Sequence, residues 1–393
     1  MGNLILAVGG VWGSIINWLS SFNIGYGLVI IIITLALKII LSPIEIYQRI
    51  STQKNSIQMA KIQPQISNIE KKYGKNTEKS NQKIMELYKR EGVNPAGMCL
   101  PMLLTMAVTL VVFITLFSSL NAISAYNIKT EYQNLETTYQ TAYINSISNE
   151  ATEIIVSSDD TIKTIYEKLE SQYTPEEIEE LKANAKITAQ SSVAEKYTEI
   201  KEGFLWIKNV YRSDTKTSVF PDAKDYISLA KLSFDDYNET TPYTNIFGEE
   251  FTTSSTAKDA FTSQFNEVTE KINVKYDGWN GYYILAILAC GVTFLSLWIS
   301  QKNNSVSQTE KSTNNVENKK NKGDDTQSVN PQSGNKILMV VLPVVMLFFA
   351  MQYNSAFALY LVTNSAATII INLITDFVVK KKREKENLVG KGE

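Results

Sequence analysis

Five apolar runs constrain this chain more than any other feature: Tyr26–Ile46, Ala96–Leu120, Gly281–Ile299, Ile337–Met351 and Ala356–Val379. Each approaches or reaches the ~20 apolar residues that carry a helix across a ~30 Å hydrocarbon core, where an open backbone would be left without hydrogen-bond partners. The pattern predicts five membrane-spanning helices. The fourth run is short, and the Gln352–Ser355 turn "QYNS" after it predicts a tight helical hairpin with the fifth.

The segments between the runs differ sharply in charge. Residues 47–95 carry 10 basic and 4 acidic groups, 300–336 carry 6 and 4, and 380–393 carry 6 and 3, whereas 121–279 carry 15 and 27. Basic loops stay on the cytosolic side, so the first three are expected inside and the acidic block outside, with the N-terminus out and the C-terminus in. The expected fold class is an all-α polytopic membrane protein with five transmembrane helices, a cytosolic helical hairpin and a mainly helical extracellular insertion. Its parts are an interfacial amphipathic helix at 1–23, spans at 24–46, 96–120, 280–299, 337–352 and 356–379, the hairpin at 47–95, the insertion at 121–279, a disordered cytosolic linker at 300–336 and a basic tail at 380–393.

No lysine or arginine precedes Lys38, so the basic n-region of a signal peptide is missing and the N-terminal segment is expected to be retained. Within it Val8, Val11, Ile15, Leu19 and Phe22 recur at helical spacing opposite Ser14, Asn17 and Ser21, which suits a helix lying in the outer interface. Between the first two runs, Met59, Ile62, Ile66, Ile69 and Tyr73 step by three, four, three and four, and Ile84, Leu87 and Tyr88 follow the "YGKN" turn. This reads as an antiparallel hairpin, with Pro64 expected to kink or divide its first helix. Two spans need only a few linking residues, so the elaborated hairpin points to contact with a partner. In the acidic block, Thr174, Pro175 and Glu177 form a helix-start signature, while 232–279 is ambiguous between short strands and loop.

The chain has no histidine and only two cysteines, Cys99 and Cys290, both inside apolar runs. Histidine-based triads and most zinc sites are thereby excluded, no disulfide can form within the acidic block, and no Walker loop or dinucleotide fingerprint appears. No cofactor, metal or catalytic residue is expected, and the chain is not read as an enzyme.

What remains is the polarity inside the spans. Thr34, Lys38, Ser42 and Glu45 step by four, four and three along the first helix. Comparable stripes run through Thr105 and Thr109, through Thr293, Ser296 and Ser300, and through Asn364, Thr368, Asn372 and Thr375. If these faces converge they line a hydrophilic cavity. Lys38 lies eleven residues, ~16 Å, from Arg49, the nearest cytosolic charge landmark, so snorkelling is insufficient. An unpaired lysine facing lipid costs ~2.5–3.5 kcal/mol even on the gentler scales.

Lys38 five residues before Pro43, Gln63–Pro64, "YKREGVNPAGMCLPML" at 88–103, "FLWI" ahead of "YYILAIL", and "SAFALYLVTN" opening the last span occur in an order that resembles the YidC family of membrane protein insertases. The resemblance covers the five spans and the hairpin, roughly half the chain, and implies a groove open to cytosol and lipid but closed outside. One positive residue in the first span, here Lys38 where most bacterial members carry arginine, attracts the polar or acidic part of an incoming segment. Thr34, Ser42, Thr105, Thr109, Thr293, Ser296, Asn364 and Thr368 are expected to share that groove. The hairpin residues Met59, Ile62, Ile66, Ile69, Tyr73, Ile84 and Tyr88 are expected to recruit substrate. Lys380, Lys381, Lys382 and Arg383 in the tail are expected to meet the ribosome or signal recognition machinery.

The partners so implied are nascent membrane proteins, the lipid bilayer and the Sec translocon, and the location is the cell membrane of a monoderm bacterium. Thr105–Ala107 and Asn354–Ala356 depart from the family pattern and bear on groove shape. The acidic insertion lies between spans two and three, unlike the large external domain that precedes the first core span in Gram-negative members. Two other classes use the same lysine: a small-solute or ion transporter, or a Ser-Lys intramembrane hydrolase with a serine such as Ser118.

Overall fold

The computed structural model describes the backbone of residues 2–74, 77–92, 95–157, 159–309 and 331–389; the side chains of 2–9, 53–57, 60, 95–102, 301–309, 331–338, 380 and 382–389 are not among those described. Among the described residues there are eleven helices and one two-stranded antiparallel sheet: α1 Gly2–Ser20, α2 Tyr26–Tyr73, α3 Glu78–Arg90, α4 Pro95–Glu150, α5 Ile162–Glu170, α6 Pro175–Ile200, α7 Ala223–Ala230, β1 Tyr243–Thr244, β2 Glu250–Phe251, α8 Ser254–Lys275, α9 Ile284–Thr309, α10 Pro331–Gln352 and α11 Ser355–Val389. Among the described residues, three stretches are long and apolar enough to cross a membrane, Tyr26–Thr52, Leu103–Glu150 and Ser355–Val379, and two shorter apolar helices run over Ile284–Ser300 and Met339–Gln352.

Several expected boundaries move. α2 is one helix through both Pro43 and Pro64, so neither proline divides it and no break separates the first span from the hairpin. A proline removes one backbone donor, but Ile62 and Ile66 on either side of Pro64 are buried against α3 and hold the helix together across the defect. α4 likewise runs past residue 120 without interruption. α9 continues to Thr309, beyond the expected start of the linker, because a nucleated helix gains a hydrogen bond with each residue added. The rest of that linker, 310–330, lies outside the described residues.

The chain divides into two compact units. One comprises residues 1–29, 118–286 and 350–358. Its centre is an aromatic cluster in which Tyr132 stacks on Phe265 at 4.6 Å and meets Tyr226 at 4.8 Å, with Phe220 and Phe261 closing round them. Thr174 caps α6 with a reciprocal Glu177 bond, as the sequence predicts, and α6 packs along α8. The ambiguous 232–279 stretch resolves into the short β1–β2 hairpin followed by α8. In α1, Gly10 adopts a left-handed φ of 56° and breaks the helix. Beyond it Val11, Ile15, Trp18 and Phe22 are exposed while Ile16 turns inward.

The other unit comprises 30–117, 287–349 and 359–393. In it α2 and α3 close the hairpin on itself: Ile62, Ile66 and Leu87 are buried, and Met59, Ile69, Ile84 and Tyr88 pack round them.

Candidate functional site

The polar stripes of the apolar helices converge on a cavity of about 310 Å³ in the second unit. α2 contributes Lys38, Glu45, Gln48, Arg49 and Thr52; α4 contributes Thr105; α9 contributes Ser296, Leu297 and Ser300; α11 contributes Thr368 and Asn372. Helical periodicity explains the α2 set. Residues 38, 45, 49 and 52 are separated by seven, four and three, so they fall on one face over four turns.

Three charged residues line this cavity, and with Asp376, which pairs with one of them, they form two ion pairs. Lys38 Nζ donates to Glu45 Oε1 at 2.7 Å, with the two side chains 8% and 20% exposed. Arg49 grips Asp376 with both arms, Nε to Oδ1 at 3.0 Å and Nη2 to Oδ2 at 2.7 Å, and its Nη1 reaches Ser300 Oγ at 3.4 Å. A carboxylate near each cation offsets the cost of bringing it out of bulk water, and the guanidinium fork matches a carboxylate in a way a lysine cannot. Each pair keeps its net charge at zero. The cavity is therefore polar without being a bare positive site.

Of the expected groove residues, Lys38, Thr105, Ser296 and Thr368 line this cavity. Thr34 is buried and its hydroxyl donates to the Ile30 carbonyl at 2.6 Å. Ser42 donates to the Ile39 carbonyl. Thr293 shares a 3.0 Å bond with Ser365 between α9 and α11. The Asn364 carbonyl accepts from Thr368, and Thr109 is exposed; neither lines the cavity. Thr375, at the end of the expected α11 stripe, is buried and donates to the Ile371 carbonyl. The α11 stripe continues by its own four-residue step from Thr368 and Asn372 to Asp376. That step was the signal for the missed ion pair.

The hairpin residues Met59, Ile62, Ile66, Ile69, Ile84 and Tyr88 form the hairpin's own seam, which leaves the opposite faces of α2 and α3 for any partner. Tyr73 stands apart from that cluster, with the Lys72 ammonium 5.5 Å from its ring. In the tail Lys381 is exposed, while the side chains of Lys380, Lys382 and Arg383 lie outside the described residues.

In the first unit a second polar concentration lies in the loop between α6 and α7. Asn280 Oδ1 accepts from the Asn209 amide, and its Nδ2 donates to the carbonyls of Asn209 and Ser213. Asp214 Oδ2 accepts from the amides of Leu285 and Ala286 at the start of α9. Burial raises the Asp214 pKa, and those two donors oppose the rise. Ser213 and Thr215 hydroxyls donate to the Met351 carbonyl, and the Arg212 carbonyl accepts both from Ser355 N–H and from its hydroxyl. The loop thus binds the first turn of α9 and the α10–α11 turn.

A family model described as 60Kd inner membrane protein matches residues 18–383. Among curated proteins, the membrane protein insertase YidC of Clostridium perfringens is 44% identical over 84 residues, 21% of this chain and 34% of that protein. The YidC of Caldanaerobacter subterraneus subsp. tengcongensis is 35% identical over 115 residues, 29% of this chain and 52% of its own length. That of Oleidesulfovibrio alaskensis is 44% identical over 90 residues, 23% of this chain and 16% of its own. The matched stretches thus span about half the length of these relatives at most.

Proposed function

The chain belongs to the 60Kd inner membrane protein family, the family of the YidC insertases, and on that premise we propose that it inserts nascent membrane proteins through the cavity of α2, α4, α9 and α11. The observation that carries this reading is a charged, hydroxyl-lined space built from helices that are otherwise apolar. Such a space lets the hydrophilic flank of a client leave the cytosol while its apolar helix partitions into lipid. No covalent bond is made or broken. In the topology we propose, all five apolar helices span the bilayer, the N-terminus and the 121–279 insertion are outside, and the hairpin and tail are cytosolic. The outer faces of the hairpin receive clients, and the tail, with Lys380, Lys381, Lys382 and Arg383, meets the ribosome or targeting machinery.

The Lys38–Glu45 pair sharpens the mechanism. An acidic client residue enters by exchange, taking Lys38 while Glu45 turns to water, so capture costs less than baring an unpaired ammonium in the membrane. A Ser-Lys hydrolase needs its lysine to accept a serine proton, whereas Lys38 donates to a carboxylate. The test is insertion of matched clients with acidic or neutral external flanks at equal levels of folded protein. Lys38→Met is expected to slow the acidic client by roughly tenfold, the worth of one charge-assisted hydrogen bond, and the neutral client much less. Glu45→Gln, which frees the ammonium, is expected to favour the acidic client. Equal losses for both clients in Lys38→Met would reduce Lys38 to a structural role.

A further inference from the structure

The first unit contains a cavity of about 420 Å³ that the insertase reading does not use. Its size falls in the range of roughly 300–1,000 Å³ found for small-molecule sites. One wall is a face of α4: Lys129, Gln133, Glu136 and Gln140 all line it and step by four, three and four. The opposite wall is aromatic, with the half-exposed rings of Tyr237 and Tyr243 at 5.4 Å from each other.

The polar groups of this cavity are partly bonded within the fold and partly open. Gln264 is held from both ends: its amide oxygen accepts from the Ile246 amide at 2.9 Å, and its nitrogen donates to Glu136 Oε1. That neutral amide is the hydrogen-bond partner of the Glu136 carboxyl; among the described residues no ion pair engages Glu136 or Lys129. Burial, reinforced by the Glu136 charge, pushes the Tyr226 and Tyr243 hydroxyls above their ordinary pKa, so they remain proton donors beside it. Burial raises the Glu136 pKa and the Gln264 bond opposes the rise, so an arriving ammonium stabilises the charged carboxylate while the ring faces attract the cation.

We propose that this cavity binds short free peptides of about three residues, with the peptide's terminal ammonium at Glu136 and its terminal carboxylate at Lys129. Two features select that ligand over a simple amine. Lys129 and Glu136 are seven residues apart on α4, ~10.5 Å along the axis, and three extended residues span ~10 Å between their ends. Between the two charges, Gln133 offers an amide that both donates and accepts, as a peptide bond requires, whereas the Asn245 amide is already bonded to Glu249 and the Phe247 amide. The aromatic wall takes the apolar side chains. The site is independent of the membrane cavity and of the insertase reading.

The test uses the purified full-length chain in detergent and the peptide tri-alanine, followed by calorimetry. Tri-alanine is expected to bind, N-acetyl-tri-alanine at least tenfold more weakly, and tri-alanine amide several-fold more weakly. Glu136→Gln is expected to cost at least tenfold toward tri-alanine. Lys129→Gln, at a half-exposed position where folding is not at risk, is expected to weaken tri-alanine but leave tri-alanine amide unchanged. Failure of tri-alanine to bind the unaltered chain at millimolar concentration overturns the proposal. So does equal binding of the free and acetylated peptides, or saturation of the cavity by a neutral sugar oligomer that tri-alanine cannot displace.

Discussion

The membrane cavity and the 209–216 loop both bury polar groups, but with different chemistry. The cavity combines two ion pairs, Lys38 with Glu45 and Arg49 with the adjoining Asp376, with hydroxyls and amides round open space. The loop also holds an ion pair, Arg212 with Asp225, but most of its bonds are neutral, amides and hydroxyls bonded to backbone groups. An ion pair can trade one carboxylate for another at little net cost, because the replacement restores the same charge balance. A neutral network has no such substitute, since each donor fits one acceptor in one place. Burial alone therefore does not mark a site; exchangeable partners beside open space do.

The most damaging way to probe this contrast is Asn280→Ala. Asn280 is fully buried and holds Asn209 and Ser213 through three good bonds, so the change strands several backbone groups at once. A loss of about 3–5 kcal/mol is expected, read as a lowered unfolding temperature and faster proteolysis of the 121–279 region. A loss below about 1 kcal/mol would mean that water replaces the amide and the loop is no more locked than the cavity.

Next in size is the Arg49–Asp376 pair. Arg49→Met or Asp376→Asn alone should destabilise by about 2–3 kcal/mol, somewhat under the figure for a fully buried pair because the side chains remain 11% and 18% exposed. Arg49→Met combined with Asp376→Leu should recover most of that loss in a double-mutant cycle, since no unpaired charge is left. Additive losses would show that the two residues act separately, and the exchange argument for the cavity would weaken with it.

Gly27→Ala tests packing in the loop's unit without touching polarity. A Cβ at Gly27 would stand within 2.4 Å of the Phe204 ring, so about 1–3 kcal/mol of overpacking is expected, relieved in a Gly27→Ala/Phe204→Ala background. The smallest effect concerns pH. Burial works against the Asp225 charge, but the Lys216 bond at 2.9 Å and the Arg212 charge outweigh it and hold the carboxyl below its ordinary pKa. That contribution is present above the ordinary carboxylate range and is lost as pH falls through the folded value. Asp225→Asn should flatten the acid limb of the stability profile by under about 1 kcal/mol, as befits a pair near the surface. An unchanged acid limb would exclude Asp225 as its source.

Much of the architecture was legible in the order of residues because it depends on local physics. Apolar length predicts helices able to cross a bilayer, the Thr174–Glu177 capping box predicts the start of α6, and the Met59–Ile69 spacing predicts a helix seam that α3 covers. The stripe containing Lys38 was likewise visible, since a helix repeats every 3.6 residues whatever surrounds it. Prolines were the weak point. Pro64 reads locally as a break, yet α2 continues, because the packing of Ile62 and Ile66 on α3 outweighs one missing donor.

Residue spacing alone sets which side chains share a face: Thr34, Lys38 and Glu45 on α2, and Asn364, Thr368 and Asn372 on α11. Helix packing selects which members of each face reach the cavity, admitting Thr105 and Thr368 while leaving Thr109 and Asn364 outside it. Packing also joins Arg49 to Asp376 across 327 positions, whereas Lys38 meets Glu45 along a single helix, seven residues on. The reason is that periodicity fixes the angle of a side chain about its own helix, whereas the rotation and height of one helix against another are set by side chains from distant parts of the chain.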